Sequence, residues 1–318
     1  MNKEIIAEVL RDVDIKIENL SITTLNPKAF IPGNRSNIWY FKDCLGSELV
    51  VKEYPTWIDG GDISWIHKYM YQLSQVGFPL TKVIGDAVQK DGRYYGIYEF
   101  AHGSFFDKEN QMHPTSLAQT LRSLHDLGNN IKIPGSRNWP TIYRYEPNRE
   151  TITSFASDNR SKLLEPAWKL ANSLLENKVV PVIPIHGDFR RDNIRFNQSG
   201  VASVFDFGNS RNDYTEVDLA ITLRDLTNNA GINPKEFLKI YRDSGVGKVK
   251  IVPEAICASS LILPIQECLY LWKENSQNPS IELDKALTKE INHLESQLSS
   301  ISQNLQTYRE IFSSNLIF

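Results

Sequence analysis

Ile183-Pro184-Ile185-His186-Gly187-Asp188-Phe189-Arg190-Arg191-Asp192-Asn193, followed by Val204-Phe205-Asp206-Phe207-Gly208, is the stretch that decides the fold. Four residues separate Asp188 from Asn193. Between Asn193 and Asp206, Ile194-Arg195-Phe196 and Val201-Ala202-Ser203-Val204-Phe205 read as two strands joined by the turn Asn197-Gln198-Ser199-Gly200. Such a hairpin returns Asp206 to the end of the loop where it began. A carboxylate, an amide and a second carboxylate in this order are the groups that phosphoryl transfer requires. The first, Asp188, would orient an acceptor hydroxyl and take its proton, while Asn193 and Asp206 would hold Mg²⁺ against nucleotide phosphates.

His-Gly-Asp-x4-Asn followed by an apolar strand ending in Asp-Phe resembles the aminoglycoside phosphotransferase, choline kinase and homoserine kinase group of kinase-like enzymes. The run Asn212-Asp213-Tyr214-Thr215-Glu216-Val217-Asp218-Leu219-Ala220 resembles that group's Asp-Leu-Ala segment, which opens a helix after the metal site. The resemblance extends over about residues 29–225. It implies an α+β, protein-kinase-like two-lobed fold. A small β-rich nucleotide-binding lobe would occupy residues 1–100. A larger helical lobe over 101–318 would carry the catalytic loop, the acceptor site and a long helix at 283–312. It also implies ATP and Mg²⁺ as cofactors and a hydroxyl group on a small molecule as acceptor.

The N-terminal third is a test of that implication. Ala29–Phe41 reads as strand, polar turn and strand, and Glu48-Leu49-Val50-Val51-Lys52-Glu53-Tyr54 as the next strand. Lys52 ends an apolar strand of the kind that carries the nucleotide-phosphate lysine in kinase-like folds. The turn at Gly33–Asn37 resembles the phosphate-covering loop: Gly33 allows close backbone approach, and Ser36 and Asn37 supply donors. One part is missing. Kinase-like folds pair the strand lysine with a Glu on the following helix, and the helical stretch Ile63–Gln75 contains no acid. Counting back from Val76-Gly77-Phe78-Pro79 puts Ile66 or His67 at the position of that Glu, with Asp59 and Asp62 at the helix entrance as candidate partners for Lys52.

Tyr94–Gly103, a strand leading into Glu-Phe-x-x-Gly, resembles the hinge that reads adenine through backbone groups, here at Glu99 and Ala101 with Tyr98 behind them. Beyond it, Leu117, Leu121 and Leu124 recur at helical spacing, which makes His125 a buried, hydrogen-bonded helix residue. In the loop itself, Arg190 has two readings. It would offset charge on the transferred phosphoryl group, or it would, like Arg191, be solvated or pair with Asp192 and Asp213. His186 is expected to hold the loop by hydrogen bonds, and Asp218 to tie it from a helix N-terminus. No role falls to Arg195.

The whole chain sets limits. Its 318 residues with 41% hydrophobic content suffice for a two-lobed unit, and a net charge of -3 argues against a nucleic-acid partner. Cys44, Cys257 and Cys268 are scattered without metal-ligand spacing, which suits a reducing, cytoplasmic setting. The N-terminus is too acidic for a secretory signal. The most apolar stretch, about Ala255–Trp272, is broken by Pro264, Gln266 and Glu267 and reads as a buried helix pair and not a membrane span. Leu287, Ile291, Leu294, Leu298, Ile301, Leu305, Tyr308 and Phe312 alternate in spacings of four and three. That pattern fits a long helix lying across the larger lobe, the favoured reading, or a homodimer through a C-terminal coiled coil.

The expected activity is ATP- and Mg²⁺-dependent phosphorylation of a small-molecule hydroxyl. The balanced charge of the larger lobe speaks against a polycationic aminoglycoside, and the run Asn209–Ala220 resembles homoserine kinase more than the aminoglycoside enzymes, which implies an amino alcohol or hydroxy amino acid. Segments Trp139–Arg144 and Gln266–Trp272 are the candidate acceptor walls. The missing helix Glu motivates an alternative, a nucleotide-binding pseudokinase or regulatory partner without catalysis; a second, a kinase of proteins or other macromolecules, lacks an Ala-Pro-Glu segment after Asp206.

Overall fold

The computed structural model describes residues 3–13, 15, 23–24, 36–43, 45–56, 58–134, 162–247, 249–277 and 279–313. The chain divides into two compact units, Met1–Phe106 with Ile131–Arg137 and Asp192–Ser210, and Asp107–Asn130 with Asn138–Arg191 and Arg211–Phe318. The first unit therefore includes the 194–204 hairpin. A single cut at residue 100, which assigned that hairpin to the larger lobe, does not follow the compact units.

In the first unit, helix α1 (Lys3–Asp12) precedes five antiparallel strands: β1 (Thr23–Thr24), β2 (Asn37–Lys42), β3 (Glu48–Glu53), β4 (Val88–Lys90) and β5 (Arg93–Glu99), in spatial order β1-β2-β3-β5-β4. Alternation along the strands sends Trp39, Phe41, Leu49, Val51, Tyr95 and Ile97 to one face. There they meet Ile6, Val9 and Leu10, spaced to line one side of α1. Each such side chain contributes about 1.5–3 kcal/mol by leaving water. Asp91 and Gly92 both take positive φ, which tightens the β4–β5 turn to two residues. Helix α2 (Gly60–Gln75) begins at Asp59, whose side chain accepts the Asp62 N–H at 2.8 Å.

The second unit is mostly helical: α3 (Met112–Gly128), α4 (Leu164–Leu175), α5 (Thr215–Ala230), α6 (Pro234–Asp243), α7 (Pro253–Gln277) and α8 (Ile281–Ser313), with a short antiparallel pair, β6 (Val182–Ile185) and β9 (Arg211–Tyr214). The hairpin strands of the first unit are β7 (Ile194–Asn197) and β8 (Gly200–Val204). The expected helix pair at 255–272 is instead the single helix α7, with Pro264 in its interior. Helices α4, α5 and α8 pack around it. Burial of Ile256, Leu261, Ile262, Ile265, Leu269 and Leu271 outweighs the roughly 3 kcal/mol that an interior proline costs. By length and composition α7 would cross a membrane, but 67% of its most apolar window is buried in the protein. The four-three stripe lies on α8, and Leu287, Ile291, Leu294, Ile301 and Tyr308 are buried as that helix packs against α7. Five of the eight stripe residues are thus buried within the chain, as the long-helix reading expects, and Leu298, Leu305 and Phe312 are half-buried.

Candidate active site

The loop from His186 to Arg191 is fastened along one face of α5. Asp218, Thr222 and Asp225 follow one another at spacings of four and three, which stacks them on one side of a helix. Asp218, wholly buried, accepts the backbone N–H of His186 at 2.9 Å and of Gly187 at 2.8 Å, and faces His125 Nε2 at 3.4 Å. Gly187 takes φ +76°, a conformation costly for any residue with a Cβ. Thr222 Oγ1 lies 2.7 Å from the carbonyl oxygens of Phe189 and Asp218, and Asp225 accepts the Arg191 N–H at 3.1 Å. Burial alone would raise the Asp218 carboxyl, but the hydrogen bond and charge of His125, then His186, hold it below the usual carboxylate value.

Asp188 therefore projects from a braced loop. Its side chain is 19% exposed and receives both arms of Arg190, Nε to Oδ1 at 2.6 Å and Nη2 to Oδ2 at 2.9 Å, while its own N–H donates to His186 Nδ1 at 3.2 Å. Arg190 thus pairs with Asp188. Arg191 pairs with Asp225, Nε to Oδ1 at 3.3 Å, because Arg211 already occupies Asp213 at 2.8 Å.

The second set of residues sits at the root of the β7–β8 hairpin in the first unit. The end pair Ile194–Val204 and the bond from Phe205 N–H to Asn193 O at 3.0 Å set Asn193 and Asp206 side by side along the chain ends. The hairpin is held to its unit by Thr81 N–H to Val204 O at 3.0 Å and Ser104 N–H to Phe196 O at 2.8 Å. Asp206 adopts a left-handed conformation, φ 63° and ψ 55°, uncommon outside glycine but accessible to Asp. Its Oδ1 is 2.5 Å from Lys52 Nζ. Lys52 is buried in the sheet, with Ile38 and Gly96 as register partners. Asn193 and Asp206 offer only hard oxygen donors, the chemistry that suits Mg²⁺, which takes few protein ligands beside phosphate oxygens. No group of three or more His, Cys, Asp or Glu side chains suited to a metal occurs among the described residues.

Other expected residues fall as follows. Gly33 and the Trp139–Arg144 segment lie outside the described residues; Ser36 precedes β2, and Asn37 opens it opposite Glu53. Glu99 donates its N–H to Lys82 O at 3.0 Å and pairs through its side chain with Lys82 at 3.5 Å. The Ala101 N–H has no hydrogen-bond partner among the described residues. Tyr98 is buried, with its hydroxyl bonded to Tyr54 and 3.0 Å from His67 Nε2. His125 is buried and bonded to the Tyr241 hydroxyl at 2.7 Å, as its place in the helix predicts. Arg195, given no role, has its guanidinium over the rings of Phe105 (4.0 Å) and Phe205 (4.9 Å).

Sequence reasoning missed Thr222, Asp225 and Tyr54. The first two were detectable as polar residues at helical spacing from Asp218. Tyr54 carries no such signal, since a tyrosine after a strand lysine is ordinary in a buried strand.

Fold and loop arrangement together are of the kinase-like kind. The chain belongs to the APH phosphotransferase enzyme family, which it matches over residues 29–246. A homoserine kinase of Methylorubrum populi is 25% identical over 213 residues, 63% of this chain and 64% of the relative. The chain thus spans less than two thirds of the length of the curated homoserine kinases it matches. Among solved structures, the microcompartment-associated aminopropanol kinase superposes with TM-score 0.71 at 15% identity, covering 96% of this chain and 98% of that one. Amicoumacin kinase, solved with AMP-PNP and Ca²⁺, gives TM-score 0.70 at 14% identity over 93% and 96% of the two chains. These likenesses establish the shared fold.

Proposed function

We propose that the protein transfers the γ-phosphoryl group of ATP to a hydroxyl of a small molecule that also carries an amine, an amino alcohol or a hydroxy amino acid. Asp188 orients the acceptor hydroxyl and takes its proton as the oxygen bonds to phosphorus and the bond to the ADP oxygen breaks. Lys52 pairs with the nucleotide phosphates, Ala101 supplies the unpaired hinge N–H for adenine beside Glu99, and Ser36 and Asn37 with Gly33 cover the phosphates. Asn193 and Asp206 would hold Mg²⁺, which when bound neutralises phosphate charge. Arg190 leaves Asp188 for the charge that develops on the transferred group. The observation that carries the reading is the Lys52–Asp206 pair at the root of the hairpin that starts at Asn193.

The amine half of the reading rests on α7, within the segment expected to line the acceptor. Glu267 is solvent-accessible, yet the protein packed around it raises its carboxyl; Glu290 and Asp188 raise it further, while Arg224 and Arg190 oppose them. Glu267, on the segment expected to line the acceptor, is the candidate partner for an ammonium group there. Homoserine kinases and the aminopropanol kinase are named for acceptors of this chemistry. The test is ADP release from Mg²⁺-ATP against hydroxylated amines, amino acids, sugars and aminoglycosides. Release should depend on a hydroxylated amine, and Asp188→Asn should reduce it by about 10²–10⁴-fold with nucleotide affinity kept. Equal nucleotide binding by both proteins with no acceptor-dependent release would favour the non-catalytic alternative.

A further inference from the structure

Between Ile63 and Gln75, helix α2 offers no carboxylate to the strand lysine. We propose that an uncharged cradle of Tyr54, Tyr98 and His67 does this work, and that the three are positioning residues which set Lys52 for the phosphates of a bound nucleotide. The inference rests on the nucleotide-binding part of the proposed function.

The ammonium of Lys52 stands over the ring of Tyr54, 5.2 Å from its centroid. A ring face attracts a cation by about 0.5–2 kcal/mol without neutralising it, so, unlike the Asp206 carboxylate that already pairs with this ammonium, the ring does not compete with an incoming phosphate for its charge. A ring can aim a cation only if it is itself fixed. The Tyr54 hydroxyl bonds that of Tyr98, and His67 Nε2 lies 3.0 Å from the Tyr98 hydroxyl and 3.4 Å from that of Tyr54. His67 belongs to α2, at one of the two places where the sequence pattern expects the helix Glu. The cluster therefore links that helix to the lysine strand, as an ion pair would.

Room for the cluster is built into β5. A Cβ at Gly96, the register partner of Lys52, would lie 2.7 Å from the Tyr98 hydroxyl. The neighbouring acid, Glu53, bonds Arg93 through Oε1, while its Oε2 is buried without a hydrogen-bond partner among the described residues. Burial is the main cause that lowers His67 to about 4; Asp86 opposes it and the Lys52 charge adds to it, so the ring is neutral at physiological pH. A neutral imidazole beside a buried lysine avoids the repulsion that a second cation would bring.

Calorimetry with adenosine and with Mg²⁺-AMP-PNP, on wild type, Tyr54→Phe, His67→Ala and His67→Gln, tests the assignment. The cradle acts through Lys52, so it should affect only the ligand that carries phosphates. His67→Ala should weaken AMP-PNP about tenfold and Tyr54→Phe about threefold, within what one cation–ring contact supports. Adenosine affinity should stay unchanged, and His67→Gln, which keeps a hydrogen-bonding side chain, should recover most of the loss. Equal losses on both ligands, or no loss on AMP-PNP in variants that melt like wild type, would overturn the assignment. If His67→Ala melts early, Tyr54→Phe decides, since it keeps the ring. A wild type that binds neither ligand would instead sink the nucleotide-binding reading, and this inference with it.

Discussion

Asp218→Asn should unfasten the loop that carries Asp188. In the native protein one buried carboxylate takes two backbone N–H groups, at 2.9 and 2.8 Å, and faces His125 Nε2 at 3.4 Å. An asparagine keeps one oxygen acceptor but puts an NH₂ where the other stood, so a donor faces a donor in a site without solvent. Loss of one charge-assisted bond costs about 1.5–3 kcal/mol, and the orphaned N–H about 1–3 kcal/mol more. A destabilisation of about 2.5–6 kcal/mol follows, readable as a lower midpoint in equilibrium urea unfolding. The same carboxyl gives a pH signature. Its value is depressed in the folded state, so its contribution is present above the unfolded carboxylate value and is lost as pH falls through the folded one. Asp218→Asn should therefore lose that part of the acid limb of the stability curve. A variant within 1 kcal/mol of wild type (roughly the worth of one neutral hydrogen bond), with an unchanged acid limb, would refute the assignment of Asp218 as the clamp.

Glu216 should show the opposite sign. Burial chiefly raises it to about 7, although the Val252 N–H donates to it at 2.7 Å. Its contribution is fully present below the unfolded carboxylate value and is lost as pH rises through about 7, a swing of about 3 kcal/mol that Glu216→Gln should abolish in urea titrations run across that range. Gly208→Ala would bring a Cβ to 2.9 Å from Lys52 Nζ, the mobile end of a long side chain. The melting temperature should hardly move while AMP-PNP affinity falls by several-fold, about 1 kcal/mol; a large drop in stability would show that backbone and not the lysine gives way.

The loop and hairpin were legible because their chemistry is local. Asp188, Asn193 and Asp206 lie within one short run, and the turn at 197–200 forces the strands between them to pair. The long C-terminal helix was legible from its four-three stripe, but periodicity could not say which apolar surface covers it; packing against α7 did. Lys52 was legible as a strand-end lysine, whereas its partner, 154 positions away, was not. The expectation of a helix break at Pro264 failed because burial on three sides overrides local propensity. Arg191 illustrates the same limit: sequence neighbours offered Asp192 and Asp213, and the helix face supplied Asp225.

Phosphorus NMR of a reaction containing Mg²⁺-ATP and a hydroxylated amine such as homoserine or aminopropanol tests the central claim most directly. The account predicts a new phosphomonoester resonance that grows as the ATP signals convert to those of ADP, and that is absent with Asp188→Asn. Conversion of ATP to ADP and free phosphate with no phosphomonoester, or a phosphomonoester formed equally well by Asp188→Asn, would contradict it.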